Sequence, residues 1–231
     1  VEIETPENLA TYEELLKSRV LEVSIEAARN LESVEVKLVN GSSDIGINRR
    51  NRGADGVMEM RPNPSGYRVP DLWGLVLESK SGNNAVIFSH ACHAVTVYSW
   101  KWTACSADFP GAARRTIEKE IGSGAHCQFL QGFAGNVRPR RIADIDKGTF
   151  RKSVEGDHEA IGSKLASDYL QAMKNAEPVS LKLAACAGSF QAPRDNTRIE
   201  PLEHWKTMAS SDSELERNFG SYWLRRIEND L

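Results

Sequence analysis

The sequence predicts an α/β fold in which a mixed β-sheet is covered by helices. Two observations predict it. Segments with helical periodicity alternate along the chain with short apolar segments typical of strands, and one of these strands, 84–91, is apolar on both faces. Because a strand that is apolar on both sides must be covered on both sides, it should lie inside a sheet.

The elements of the first half alternate as this fold requires. Apolar residues recur at helical spacing over 7–31 and line one face of a predicted helix. Segment 33–40 alternates apolar and polar residues, which predicts a half-buried strand. A loop-like stretch rich in arginine, glycine and proline follows over 44–70, and then two strands, 71–78 and 84–91, form a predicted hairpin.

The second half continues the alternation. Its first helix begins at Ser106, and either Ser106 or Asp108 can cap it; two glycines follow its last apolar residue. A strand at 179–190 and a final helix complete the predicted sheet and its cover. The predicted elements are a helix at 106–121, a strand at 125–131, an arginine-rich loop at 132–152, a helix at 157–174, a strand at 179–190 and a helix at 213–228.

Composition bounds the function. The chain has 231 residues, of which 40% are hydrophobic and 26% charged, so we expect a single folded domain over 1–231. It has no apolar run of about 18 residues, so the sequence predicts no transmembrane helix. The net charge of −3 argues against a dedicated nucleic-acid-binding protein.

The four cysteines include no Cys-x-x-Cys pair, which excludes a cysteine zinc knuckle. Buried free thiols are the simpler interpretation, because cysteines such as Cys127 lie in apolar segments. Two disulfides remain an alternative for an exported protein.

Two arginine-rich motifs follow predicted strands. The first is Asn48-Arg49-Arg50-Asn51-Arg52, and the second, Gln131 to Arg140, contains Gly135, Asn136 and Arg138. Guanidinium groups bind carboxylates, phosphates or developing oxyanions through paired hydrogen bonds, and glycines let a backbone approach a ligand. The alternative is a solvated loop whose arginines pair with surface acids.

A histidine motif, His90-Ala-Cys-His93, ends the strand at 84–91. Residues three apart on a strand point to opposite faces, so the two histidines should not bind one metal together. One of them can face a cleft beyond the end of the strand, and the alternative is a hydrogen-bonded core histidine. Asp108 has two interpretations as well, since it can orient a histidine or cap its helix.

Four groups of motifs in register over 44–140 resemble the neutral/alkaline (non-lysosomal) ceramidase superfamily. None of them is specific alone, and together they span about 40% of the 231 residues. They are Asn48-Arg49-Arg50 with Asn63-Pro64 and Asp71; His93 with Thr96; Ser106-x-Asp108-x-x-Gly111; and Gln131-x-x-x-Gly135-Asn136-x-x-Pro139.

This resemblance implies a larger layered catalytic domain that hydrolyses the amide bond of N-acylsphingosine with a zinc ion. In that family two histidines, a glutamate and a tyrosine hold the zinc. The resemblance places one zinc histidine at His93 and a site-lining arginine at Arg49. The other ligands fall outside the sequence, so we expect residues 1–231 to be an internal portion of the larger domain. The resemblance also weakly favours an exported or extracytoplasmic protein.

One position departs from the family pattern. Arg138 stands where ceramidases carry a serine that is taken to be catalytic. An arginine cannot act as a nucleophile at neutral pH, so either zinc-bound water attacks directly or the chemistry differs. An arginine also favours an anionic or polar substrate over a neutral lipid.

The expected function is therefore a ceramidase-like, zinc-dependent hydrolase of linear amide C–N bonds, or of esters, acting on a small-molecule or lipid substrate. One alternative is an inactive module that binds an anionic ligand through Arg49, Arg138 and Arg140. Another is an interaction domain whose arginine loops are a solvated face. The predicted site residues are Arg49, Asp108 and Asn136 as catalytic residues, Arg138 and Gly135 as substrate-binding residues, and His93 as a Zn²⁺ ligand.

Overall fold

A computed structural model of the protein describes residues 6–54, 56–122, 124–182, 184, 186–191 and 200–228. The chain divides into two compact units, Val1–Lys182 and Leu183–Leu231. All predicted site residues belong to the first unit. That residues 1–231 form one domain stays a prediction.

The first unit alternates helices and strands as predicted. Its elements are α1 (Pro6–Arg29), β1 (Val34–Ser42), β2 (Gly46–Arg52), β3 (Met58–Asn63), β4 (Asp71–Ser79), β5 (Ala85–His90), α2 (Asp108–Ile121), β6 (His126–Gln131), β7 (Val137–Pro139), a one-turn 3₁₀ helix (Arg140–Ile142), β8 (Ala143–Asp144), β9 (Thr149–Phe150), α3 (Asp157–Met173) and β10 (Glu177–Pro178).

A five-stranded mixed sheet forms the centre of this unit, in the order β10-β1-β4-β5-β6. The pairs β10–β1, β1–β4 and β4–β5 are antiparallel, and β5–β6 is parallel with α2 as its crossover. The prediction that β5 lies inside a mixed sheet covered by helices is confirmed. The parallel pair puts the carboxyl ends of β5 and β6 at one edge, where α/β folds place ligands.

Helices α2 and α3 pack on one face of this sheet and bury its main core. The alternating residues Val86 and Phe88 of β5 point into this core. Gly74 of β4 lies so close to α3 that a Cβ atom there would be 2.8 Å from the hydroxyl of Tyr169. The other core residues include Val39, Leu72, Val76, Phe109, Ala113, Ile117, Cys127, Ile161 and Leu165.

Two predicted loops and one predicted strand differ from the structure. Segment 44–70 was expected to be a loop but contains β2 and β3, and 132–152 contains β7, which pairs with β2. The predicted strand at 179–190 is wrong for its described residues, because strand β10 ends at Pro178. Strand β2 carries three arginines, and its pairing with β3 on one side and with the distant β7 on the other makes it a strand, which local composition does not reveal.

The amphipathic helix at the start of the chain forms as predicted, as α1. Its described side chains, including the apolar stripe with Leu16 and Val20, are exposed. No helix in the described ranges is both long and apolar enough to cross a lipid bilayer.

The second unit contains α4 (Leu202–Ala209), which was not predicted, and α5 (Glu214–Glu228), which was. The two helices pack through aromatic rings, and Trp205 stacks on Trp223 with 5.5 Å between ring centroids. Gly220 allows the close approach, because a Cβ atom at this position would collide with the α4 backbone.

Candidate functional site

The candidate site forms where three chain segments meet at the carboxyl end of β5. Strand β2 supplies Arg49, β7 supplies Arg138, and the segment after β5 supplies His93. Backbone hydrogen bonds tie the segments together: the His93 N–H donates to the Val137 carbonyl at 3.3 Å, and the Arg49 N–H donates to the Asn136 carbonyl at 2.8 Å. Residues that are about 45 positions apart in sequence are thereby held in one site.

Arg49 is held in place by the glycine-rich segment before β7. Its Nε and Nη2 atoms both donate to the Gly135 carbonyl, at 3.3 and 3.0 Å. Partial burial lowers the pKa of Arg49, and the positive charges of Arg50 and Arg138 lower it further. An arginine stays protonated despite such shifts, so Arg49 contributes a fixed positive charge.

Arg138 lies on the strand next to Arg49. In the β2–β7 register Arg138 pairs with Ile47, two residues before Arg49, so the two arginines are diagonal neighbours on one face of the small sheet. The Arg138 guanidinium lies 4.9 Å from the ring centroid of Phe150, and its Nη1 is 3.3 Å from the Met60 sulfur. Its Nε is buried without a hydrogen-bond partner among the described residues.

His93 is half-buried beside these two arginines. Burial is the main cause that lowers its pKa, and the nearby charges of Arg49 and Arg138 lower it further. The imidazole is therefore neutral at neutral pH, which is the form that binds metals. Its Nδ1 is buried and makes no hydrogen bond within the described part of the chain.

His90 is buried where β5 ends, and it also lines a cavity at this end of the sheet. Its ring is 1% exposed, and its Nδ1 is 3.0 Å from the Asp71 carbonyl oxygen. Burial lowers its pKa, so this imidazole is neutral as well. The two histidines thus have the separate environments that their spacing on the strand predicts, with His93 at the site.

Asp108 supports the segment that carries His93. Its carboxylate accepts hydrogen bonds from the N–H groups of Thr96 and Val97, each at 2.7 Å, and from the Thr96 hydroxyl. It also accepts from the N–H of Phe109 at the start of α2. The recorded hydrogen bonds of this carboxylate do not include His93, so the structure places Asp108 behind the site, and a catalytic role stays a prediction.

Asn136 and Gly135 lie at the site and shape its backbone. The Asn136 side chain donates to the Tyr67 carbonyl at 2.8 Å, which ties the segment before β7 to the loop after β3. Gly135 is exposed, and a Cβ atom there would meet nothing within 4 Å. Gly135 therefore acts here through its carbonyl, which holds Arg49.

Arg140, the third arginine of the predicted anion cleft, points to a different neighbour. Its Nε donates to the Asp44 carbonyl at 3.1 Å, and its backbone N–H donates to the Ile45 carbonyl. The β2–β7 register places Arg49 and Arg138 near each other, whereas the described hydrogen bonds of Arg140 lead to the segment before β2.

No group of three or more His, Cys, Asp or Glu side chains suited to a metal ion occurs in the described ranges. His93 is thus a single candidate ligand. The four cysteines are free thiols: Cys92 and Cys127 are buried as predicted, whereas Cys105 and Cys186 are exposed.

A cavity of about 650 Å³ opens near the same end of the sheet, which the sequence did not predict. Its lining includes the aromatic rings of Trp73 and Phe133, the aliphatic Leu130 and the buried Ser89. Phe133 is two residues before Gly135, so the cavity and the Arg49 anchor lie on one short segment. Only the strand pairing of β4, β5 and β6 brings these side chains together.

No protein-family model and no curated protein sequence matches this chain. Solved structures similar to it include two ceramidases. A neutral ceramidase from Pseudomonas aeruginosa is 20% identical over 69% of this chain and 26% of its own, with a TM-score of 0.49. A ceramidase complexed with C2 is 19% identical over 68% of this chain and 25% of its own, with a TM-score of 0.48. The chain thus spans about a quarter of their length, and these are proteins of the kind that its sequence motifs resemble.

Proposed function

We propose that this protein is a zinc-dependent hydrolase of amide or ester bonds and that the described site is one wall of its active centre. The observation that carries the proposal is a neutral, half-buried His93 beside two arginines, neither of which has a carboxylate partner among the described residues. A neutral imidazole can bind a metal ion, and a guanidinium without a carboxylate partner can stabilise a developing oxyanion.

The residues present fit zinc in one respect. His93 has a neutral ring whose Nδ1 has no hydrogen-bond partner among the residues that the structure describes, and histidine is the commonest metal ligand. Since a zinc site needs about three protein ligands, we propose that the others come from outside residues 1–231. When bound there, zinc would polarise the scissile carbonyl and lower the pKa of a bound water to about 7.

Arg49 has the features of an oxyanion-stabilising residue. Two hydrogen bonds to the Gly135 carbonyl fix its guanidinium before any substrate binds. A positive charge held in place needs no reorganisation as negative charge grows on the carbonyl oxygen. Asn136 and Gly135 keep this geometry, while Asp108 fixes the segment that carries His93.

Zinc content of the full-length protein tests the metal assignment. We expect wild-type protein to hold stoichiometric zinc and to hydrolyse acyl amides or esters in a chelator-sensitive manner. His93→Ala should lose most of the zinc, whereas His126→Ala, which changes an exposed histidine on β6, should keep it. Retention of stoichiometric zinc by His93→Ala would exclude His93 as a ligand.

Replacement of Arg49 tests the proposed oxyanion role. Arg49→Gln should lower kcat by about a hundredfold, as loss of an oxyanion donor does in other hydrolases, while KM changes little. A larger effect on KM than on kcat would assign Arg49 to ground-state binding instead.

A second function is supported by the same unpaired arginines. A module without turnover would use Arg49 and Arg138 to bind an anionic ligand. A panel of acyl-amide and ester substrates with added zinc distinguishes the two functions, because only the hydrolase shows turnover that a chelator abolishes.

A further inference from the structure

The site carries more positive charge than the hydrolysis of a neutral bond needs. Arg49 accounts for stabilisation of an oxyanion, and Arg138 adds a second guanidinium on the same face of the β2–β7 pair. Three other arginines in this part of the chain have carboxylate partners: Arg141 and Arg151 both pair with Asp157, and Arg61 pairs with Glu59. Arg138 has no such partner in the described ranges.

Arg138 is also held in a defined position. Its guanidinium lies over the Phe150 ring, and Nη1 contacts the Met60 sulfur, so neighbours on two other strands restrict it. The buried Nε without a partner is costly unless a ligand accepts its hydrogen bond. A planar, restrained guanidinium that has no carboxylate partner in the described ranges is suited to paired hydrogen bonds with a carboxylate.

The lining of the neighbouring cavity favours a ligand with an apolar part. Trp73, Leu130 and Phe133 are among its apolar lining residues, and the buried Ser89 also lines it. The Cα atoms of Phe133 and Gly135 are at most about 7 Å apart along an extended chain. One ligand of moderate length can therefore reach both the cavity and the Arg49 anchor.

We propose that the substrate is an N-acyl amino acid or a similar anionic acyl amide, with its carboxylate on Arg138, its carbonyl at Arg49 and its acyl chain towards the cavity. In such a compound only the nitrogen and one carbon separate the amide carbonyl from the carboxylate, so two arginines on one face of a strand pair can bind the two ends of this short span together. Water would add hydroxide to the acyl carbon and a proton to the nitrogen, releasing a carboxylic acid and the amino acid. This substrate class rests on the proposed hydrolase function.

Two probes with the same acyl chain and similar size test the effect of the negative charge alone. N-octanoylglycine carries a carboxylate, and N-octanoylethanolamine carries a neutral hydroxyl instead. Wild-type full-length protein should prefer N-octanoylglycine. Arg138→Gln should lower kcat/KM for N-octanoylglycine by roughly tenfold to a hundredfold, the loss expected for a charge-assisted pair of hydrogen bonds, and change the value for N-octanoylethanolamine less than about threefold.

Two further variants serve as controls. Arg52→Gln removes an exposed arginine on the same strand as Arg49, whose side chain donates to the Gly56 carbonyl, and it should leave both substrates unaffected. Arg138→Lys keeps the charge and should recover part of the preference. Thermal unfolding midpoints close to wild type would show that each variant is folded, and Arg138→Lys replaces Arg138→Gln if the latter unfolds.

Each outcome decides a separate question. Equal hydrolysis of both probes, with equal effects of Arg138→Gln, overturns the anionic substrate class and leaves the hydrolase function standing. Without turnover, calorimetric binding of N-octanoylglycine that Arg138→Gln abolishes supports the carboxylate site and contradicts the hydrolase function. Absence of both turnover and binding overturns the carboxylate site.

Discussion

Asp108 holds Thr96 with both of its carboxylate oxygens, one on the backbone N–H at 2.7 Å and the other on the side-chain hydroxyl. Both residues are buried, and Asp108 adopts a positive φ of 50°, which is uncommon for a residue other than glycine. The segment from His93 to Val97 is therefore fixed at its far end by the start of α2. The geometry of the candidate ligand depends on this contact.

Asp108→Asn should weaken that segment. The asparagine side chain cannot accept the same hydrogen bonds with both atoms, so we expect a loss of about 1–3 kcal/mol in the free energy of unfolding and reduced activity per folded molecule. Urea unfolding and active-site titration measure these effects. Asp146→Asn, at an exposed aspartate, should leave both unchanged; equal effects in the two variants would contradict the role of Asp108.

The carboxylate of Asp157 should make stability depend on acid pH. The hydrogen bond from Arg151 holds its pKa well below the ordinary value, and Arg141 also lowers it. A depressed native pKa stabilises the fold fully above the unfolded value, about 3.9, and this contribution disappears as the pH falls towards the native pKa. Wild type should therefore exceed Asp157→Asn in unfolding free energy most at neutral pH, and the difference should shrink below about pH 4. A difference that grows on acidification would contradict this linkage.

Removal of the Tyr169 hydroxyl should not destabilise the protein. This hydroxyl is buried without a hydrogen-bond partner in the described ranges, and the ring packs 5.2 Å from Phe88. Tyr169→Phe keeps the ring and removes the desolvated hydroxyl, so the unfolding free energy should rise by about 1 kcal/mol. Tyr67→Phe, at a side chain that is 78% exposed, should change it by less than about 0.5 kcal/mol. A loss of more than about 1 kcal/mol in Tyr169→Phe would show that the hydroxyl has a partner.

Thiol labelling should separate the four cysteines into two pairs. Burial raises the pKa of Cys127 to about 12 and also raises that of Cys92, so little thiolate forms at either buried site. The exposed Cys105 and Cys186 should react quickly with a maleimide at neutral pH. Mass spectrometry of labelled peptides measures this, and rapid labelling of Cys127 in folded protein would contradict the burial described for it.

The amphipathic patterns of the helices were strong enough to be read from the sequence. α2 and α3 each carry an apolar stripe, and Ile117 and Leu165 on those stripes are buried as the spacing predicts. The hairpin of β4 and β5 was readable for a similar reason, because both strands are apolar and a short polar turn separates them. In such elements local periodicity and core burial favour the same conformation.

Strand β1 shows where the pattern misleads. The apolar residues Val34, Val36 and Leu38 alternate with polar residues, which predicts that one face of the strand is buried. In the structure these three residues lie on the side away from Val39, which is the fully buried residue of this strand in the core. Lys37 is on the helix side and pairs with Glu78 of β4. Position in the sheet therefore decides which side is covered, and alternation alone does not.

The sequence by itself determined the α/β class, most of the described helices, four strands of the central sheet (β1, β4, β5 and β6) and the residue types of the candidate site, because these depend on short-range periodicity and on motifs that can be read in order. The tertiary structure decided that Arg49 and Arg138 are diagonal neighbours, that His93 is the histidine beside them, and that Arg140 lies with Asp44 instead. Those relationships depend on pairing between β2 and β7, about 90 residues apart in sequence. Nothing local in an arginine-rich segment specifies its partner strand, and the partner is selected only when the whole core packs.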